Sequence, residues 1–217
     1  MQGFRPAADG GFALKNGRFY EFCKRAAEHP ADRYVFVIDE INRGNLSKIF
    51  GELMLLIEAD KRGPDWQVPL PYTEGRDKFY VPDNLYLLGL MNTADRSLAV
   101  VDYALRRRFA FFDLVPQFGS AKFAAHLTNN GFSKSMIELV RGRLGALNQV
   151  IEDDTTNLGP GFTIGHSFFC SRKDELLSQE QWYRGIIETE VVPLLKEYWF
   201  DSQSRVDDWR DRLLAGV

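Results

Sequence analysis

Apolar and polar positions follow two different regimes along the chain, changing over near Pro116. Before it, short continuous apolar runs end abruptly on polar residues. Tyr34-Val35-Phe36-Val37-Ile38 stops at Asp39-Glu40, and Leu85-Tyr86-Leu87-Leu88-Gly89-Leu90-Met91 stops at Asn92. Runs without alternation predict strands buried on both faces, as in a parallel sheet covered by helices. A third such strand is predicted from Phe109 to Leu114. Helical spacing lies between and around them. Phe19, Phe22, Cys23 and Ala26 share one face over 18–28, and His29-Pro30 ends that helix. Ile49, Leu53, Leu56 and Ile57 share another over 46–59, and a further helix is predicted over about 98–107. Residues 66–82 alternate loosely around Glu74-Gly75 and carry Pro69, Pro71 and Pro82, which predicts an edge hairpin.

Beyond Pro116 the pattern is helical, over 121–130, 133–152, 180–200 and 204–215. Met136, Val140, Leu144, Leu147 and Ile151 make one stripe, Pro193 predicts a kink or a new start, and 157–165 is a Gly/Pro loop. The prediction is therefore an α/β domain over 1–115 and a small helical domain over 116–217. In the first, the polar residues ending successive strands place a site at the sheet's carboxyl edge.

Composition narrows the chemistry. The 217 residues can bury about 70 % of their unfolded surface, so no staple is needed. With 27 basic and 30 acidic side chains the net charge is −3, which excludes a strongly basic DNA-wrapping module. The two cysteines, Cys23 and Cys170, form neither a disulfide framework nor a CxxC site, and suit a reducing cytoplasm. The histidines, 29, 126 and 166, lack ligand spacing, and no GxSxG nucleophile elbow is present. Neither an 18-residue apolar run nor a signal pattern is found, so a cytoplasmic protein with no membrane contact is expected.

Three segments carry candidate chemistry. VFVIDEINRGN (35–45) delivers Asp39 and Glu40 from an apolar strand, the logic of a Walker B motif. There the first carboxylate sits near hydrated Mg²⁺ and the second polarises a water. Helix capping by Asp39 or Asn42 gives the same pattern. LYLLGLMNTADRS (85–97) brings Asn92 to the same edge, where a neutral amide holds water or a phosphate oxygen; an Asx turn uses Asn equally well. ALRRRF (104–109) ends a helix on three arginines, either a dipole-favoured terminus or a source of charge for phosphoryl transfer in trans.

Together these segments resemble the GTP-using McrB family of AAA+ proteins, motor subunits of modification-dependent restriction systems. The resemblance rests on VIDEINRGNLSKIFGELMLLIE, on FYVPDNLYLLGLMNTADRSLAVVDYALRRRFAFFDL and, more faintly, on GHSFF at 165–169. It implies an AAA+ P-loop NTPase-like parallel sheet with helices on both faces, truncated at its N-terminus, followed by a helical lid. Asp39 is then the Mg²⁺-associated Walker B carboxylate, Glu40 the catalytic carboxylate and Asn92 the first-sensor residue. Asn42 contributes to the nucleotide site, and Asn92 to Asp95 match the family's signature loop. Arg107 and Arg108 are the candidate finger arginines acting on the next subunit, with Arg106 a third. His166 and Ser167 fall where such a lid approaches nucleotide; a satisfied, partly buried histidine is the alternative for His166.

The resemblance further implies GTP or ATP with Mg²⁺, a homo-oligomeric ring (a hexamer), an McrC-like endonuclease partner and DNA contacted indirectly. One departure stands out. The family's phosphate loop ends in Gly-Lys-Ser/Thr, and these residues contain no Gly-Lys dipeptide. Weak or absent nucleotide binding by this chain alone is expected, since backbone amides and the lysine form the main phosphate cradle. A MoxR or dynein-related ATPase, or a ring component that only lends arginines, are the competing expectations.

Overall fold

The computed structural model describes residues 2–8, 10–70, 77–92, 94, 106–171 and 177–217. The chain divides into two compact units, Met1–Phe111 and Phe112–Val217, each with its own apolar core.

The first unit opens with an antiparallel hairpin of β1 (Gln2–Pro6) and β2 (Phe12–Asn16). At its turn Gly10 takes a left-handed φ of 83°. Helix α1 (Arg18–Glu28) buries Phe19, Tyr20, Cys23 and Ala26. Its open carbonyl end is closed from a distance: Asn84 Nδ2 donates to the carbonyls of Ala26 (3.0 Å), His29 (2.9 Å) and Asp32 (2.8 Å). Burial pushes the Cys23 thiol up to about 12 against the lowering effect of Arg62, so it is an inert core group.

Strand β3 (Tyr34–Ile38) pairs in parallel with a strand at Leu85–Gly89, from Tyr34 opposite Leu85 to Ile38 opposite Gly89. Phe36, Ile38, Leu85 and Leu87 face the core formed with α1 and the segment after β3. Phe19 packs edge-on against both Phe36 (5.1 Å) and Phe50 (5.4 Å). The opposite face differs from the expectation of two-sided burial. Val35, Val37, Tyr86 and Leu88 stand about half exposed, because the described elements pack against one face of the pleat only.

The segment after β3 also departs from a single helix. A 3₁₀ turn (Ile41–Arg43) leads into one α-turn, α2 (Leu46–Phe50), and then 3₁₀ helix over Gly51–Ile57. Gly51 at φ 51° breaks the α-ladder. Leu53, Leu56 and Ile57 are buried as the pattern predicts, but Ile49 is exposed. The edge ribbon is present as β4 (Val68–Pro69) and β5 (Lys78–Phe79), and residues 71–76 between them lie outside the described residues; the Leu85–Gly89 strand is β6. No strand forms over 109–114. Phe111, Phe112 and Leu114 are exposed on a segment with no ladder among the described residues, which corrects the third-strand prediction. Most of the helix predicted over 98–107 lies outside the described residues.

The second unit is helical: α3 (Ala121–Asn129), α4 (Lys134–Asp153), α5 (Gln179–Ile186), α6 (Val192–Tyr198) and α7 (Gln203–Leu214). Ser120 and Ser133 cap α3 and α4 through their hydroxyls, and Ser178 with Gln181 forms a capping box on α5. The α4 stripe is buried as predicted, with Val140, Leu144, Leu147 and Ile151 fully enclosed. Ahead of Pro193, which has no N–H to donate, the helix widens into a π-turn (Ile187–Val191). Buried Asn148 replaces a strand partner for the Gly/Pro loop: its Nδ2 donates to the Ile164 carbonyl (3.0 Å) and its Oδ1 accepts from the Ile164 N–H (2.7 Å).

Candidate functional site

The parallel pairing of β3 and β6 decides what meets at the sheet edge. The ladder continues beyond both strands, Leu90 N–H to Ile38 carbonyl and Ile41 N–H to Leu90 carbonyl, each 2.9 Å. Asp39-Glu40 and Met91-Asn92 therefore leave adjacent strands side by side. A side chain ties them: Asn42 Nδ2 donates to the Asn92 carbonyl at 3.2 Å. The Asn42 Oδ1 beside it is buried without a hydrogen-bond partner, an acceptor left over at the site.

The turn that presents the carboxylates is strained. Glu40 adopts φ 50°, ψ 45°, the one non-glycine with left-handed φ among the described residues. Such a conformation costs on the order of 1–3 kcal/mol and persists where its surroundings over-determine it. Glu40 N–H donates to Asp39 Oδ1 (3.0 Å), its carbonyl accepts from Arg43 N–H (2.9 Å), and Ile41 is held by β6. Both carboxylates are exposed. Glu40 also forms an ion pair with Arg43 Nε (3.1 Å), exposed on both sides and so easily opened.

Asn92 is exposed, and its Oδ1 accepts from Ala94 N–H at 3.0 Å, an Asx turn. Asp95, the remaining member of the loop, lies outside the described residues. The arginines divide. Arg106 and Arg107 are exposed, whereas the Arg108 side chain is 8 % exposed and pairs through Nη2 with Glu58 Oε1 at 2.8 Å.

His166 belongs to the second unit. Its Nδ1 accepts from Gln117 N–H (3.1 Å), and the ring packs edge-on against Phe118 (6.3 Å) and Phe123 (5.8 Å). That bond fixes the neutral tautomer with hydrogen on Nε2. Ser167 is exposed beside it.

Comparison with known proteins agrees with this arrangement from both ends of the chain. Residues 1–109 match the AAA domain of the dynein-related subfamily, and residues 139–207 match the McrB α-helical lid domain. The chain belongs to the McrB family of AAA+ proteins. It is 50 % identical to the type IV methyl-directed restriction enzyme EcoKMcrB subunit of Escherichia coli K12, over 99 % of this chain and 47 % of that protein. It is 25 % identical to the type II restriction enzyme BsuMI component YdiS of Bacillus subtilis 168, over 95 % of this chain and 60 % of that one. The chain thus spans about half the length of the curated relatives it matches. An AAA domain followed by an McrB lid is the architecture seen as an α/β unit and a helical unit.

Sequence reasoning missed two residues at this McrB-family site. Gly89, read only as part of an apolar run, leaves room for Ile41, whose methyl would otherwise meet a Cβ at 2.6 Å. Glu58 is the last residue of the segment VIDEINRGNLSKIFGELMLLIE, and nothing in the sequence beyond its place at the close of an apolar helix, three residues before Lys61, gives it a role. Lys61 Nζ (2.7 Å) and then Arg108 hold its carboxyl below the usual range.

Proposed function

We propose that these residues are the hydrolytic part of a nucleoside-triphosphate-driven AAA+ ring subunit, the GTP-dependent motor of a modification-directed restriction system. The observation that carries the reading is the Asn42 clasp, which holds Asn92 against the strained Asp39-Glu40 turn at one sheet edge. Glu40 orients and deprotonates the attacking water, Asn92 steadies it without adding negative charge, and Arg107 of the next subunit stabilises charge on the transferring phosphoryl group.

Asp39 suits Mg²⁺ held largely through water. It offers one carboxylate, with Oδ1 already accepting from Glu40 N–H, and no cluster of three or more potential ligands occurs among the described residues. When bound there, the ion neutralises charge on the β- and γ-phosphates. Asn42 Oδ1 is the buried, unpartnered acceptor beside that carboxylate. His166 offers Nε2–H as a donor to nucleotide, since Nδ1 is taken.

A phosphate cradle has to be added to these 217 residues for turnover, because they contain no Gly-Lys dipeptide. The working assembly is a homo-oligomeric ring, a hexamer, in the cytoplasm, coupled to an McrC-like endonuclease and through it to DNA. No described helix is long and apolar enough to cross a membrane. The match to the dynein-related AAA subfamily favours one alternative, an ATPase that remodels a protein partner.

Phosphate release from GTP and from ATP by the full-length subunit decides between them. Faster GTP turnover, reduced about 10²- to 10⁴-fold by Glu40→Gln, is expected of general-base loss. Turnover of ATP alone selects the remodelling reading, and unchanged turnover in Glu40→Gln overturns both.

A further inference from the structure

We propose that Glu58 is a positioning residue that clamps Arg108 within its own subunit and so leaves Arg107, the other of the two leading finger candidates, presented outward beside the exposed Arg106. The inference rests on the hydrolytic reading above and deepens it at the two arginines.

The Arg108 side chain is 8 % exposed and Glu58 is 21 % exposed, so their 2.8 Å contact is largely out of water. A guanidinium is not left in such a place without an anion, because an unpaired buried charge is strongly unfavourable. Lys61 Nζ donates to the same carboxylate at 2.7 Å and is itself largely covered, so Glu58 is kept ionised as the hub of a small cationic cluster. On the far side of Arg108, Phe109 packs against the core of the first unit. Arg108 and Phe109 therefore fasten the segment inward, and Arg107, one residue earlier, is exposed.

The clamp also has a definite origin. Glu58 closes the helical segment that begins just after the Asp39-Glu40 turn. One short stretch of chain thus links a subunit's own carboxylates to the arginine turn it offers to its neighbour. A guanidinium held this way by its own subunit cannot serve the neighbouring nucleotide as well. The division of labour follows, with Arg108 as anchor and Arg107 as donor in trans.

The test uses arginine labelling with phenylglyoxal on the 217-residue chain, followed by peptide mapping. Arg107 is expected to react like an exposed arginine and Arg108 at least about tenfold more slowly, a factor worth about 1.4 kcal/mol of protection. Glu58→Ala should bring Arg108 up to the Arg107 rate with unchanged far-ultraviolet circular dichroism. Equal rates in the wild type, or a protected Arg108 in folded Glu58→Ala, would overturn the proposal. The wild-type comparison stands even where the variant does not fold.

In assembled full-length rings, Glu58→Ala should lower kcat about 10- to 100-fold with little change in KM, the signature of a misplaced transition-state group. Its defect should be relieved by mixing with Glu40→Gln subunits, which a folding defect would not be. A normal Glu58→Ala ring beside a defective Arg107→Ala ring refutes the clamp and keeps the hydrolytic reading. Normal turnover in Arg107→Ala refutes the hydrolytic reading itself.

Discussion

Ile41 rests on Gly89. The last residue of β6 has no side chain, and the Ile41 methyl fills that space, so a β-carbon at position 89 would sit 2.6 Å from Ile41 Cδ1. Ile41 directly follows Glu40, and its N–H is bonded to the Leu90 carbonyl. The strained carboxylate turn is therefore seated on a glycine in the neighbouring strand. Gly89→Ala should destabilise the first unit by about 1–3 kcal/mol through overpacking. Urea unfolding at constant m-value measures this, and turnover in the full-length ring should fall with it to the extent that Ile41, which directly follows Glu40, shifts to make room.

The Asn42 clasp predicts a difference between two replacements. Asn42→Ala removes one hydrogen bond to the Asn92 carbonyl, which is worth about 1 kcal/mol. Asn42→Asp instead sets a carboxylate oxygen against that carbonyl, in addition to the Asp39 and Glu40 charges. Asn42→Asp should therefore reduce kcat more than Asn42→Ala, while the two differ little in thermal stability. Steady-state kinetics with parallel melting curves would show this, and equal kcat values in the two variants would count against the clasp.

Glu58 makes a prediction about acid. Its folded-state pKa lies below the ordinary value of 4.5, chiefly through the Lys61 hydrogen bond and then through the nearby arginines. A depressed carboxyl contributes stability that is present above its unfolded pKa and lost as pH falls through its folded pKa. The Tm difference between wild type and Glu58→Gln should thus be constant from pH 7 to about 5. It should shrink as the pH is taken below the usual carboxylate range. A difference that grows on acidification would contradict the assignment.

In the second unit, Asn148 is 7 % exposed and makes both bonds to the Ile164 peptide. Asn148→Ala would leave a buried N–H and carbonyl unpaired, costing about 2–4 kcal/mol. Gly165 and His166 follow Ile164 directly, so the same change should loosen the His166–Gln117 contact. Nitrogen-15 spectra of the imidazole would report it as loss of a single fixed tautomer.

What is legible in the sequence follows from how local each cause is. Strands β3 and β6, helix α1 and the long helices of the second unit are written in residues that are neighbours in the chain. So is the abrupt stop at Asp39 and at Asn92. The unread features are non-local. The fit of Ile41 on Gly89 spans 48 positions and the Glu58–Arg108 pair 50, and neither leaves a periodic trace. Misread features have a shared reason as well. A continuous apolar run records what a strand can bury, not what is packed on it, so Val35, Val37, Tyr86 and Leu88 are exposed and 109–114 forms no ladder. The break at Gly51 is not legible either, because a glycine inside an apolar helix pattern does not announce its φ.

The central claim is that one active site is assembled from Glu40 of one subunit and Arg107 of the next. Mixing full-length Glu40→Gln subunits with Arg107→Ala subunits tests it most directly. Each variant alone should be nearly inactive. In mixed rings, an Arg107→Ala subunit keeps its own Glu40 and receives Arg107 from a Glu40→Gln neighbour, so turnover should recover to a substantial fraction of wild type. Mixed rings that form but remain as inactive as either parent would contradict a site shared between subunits.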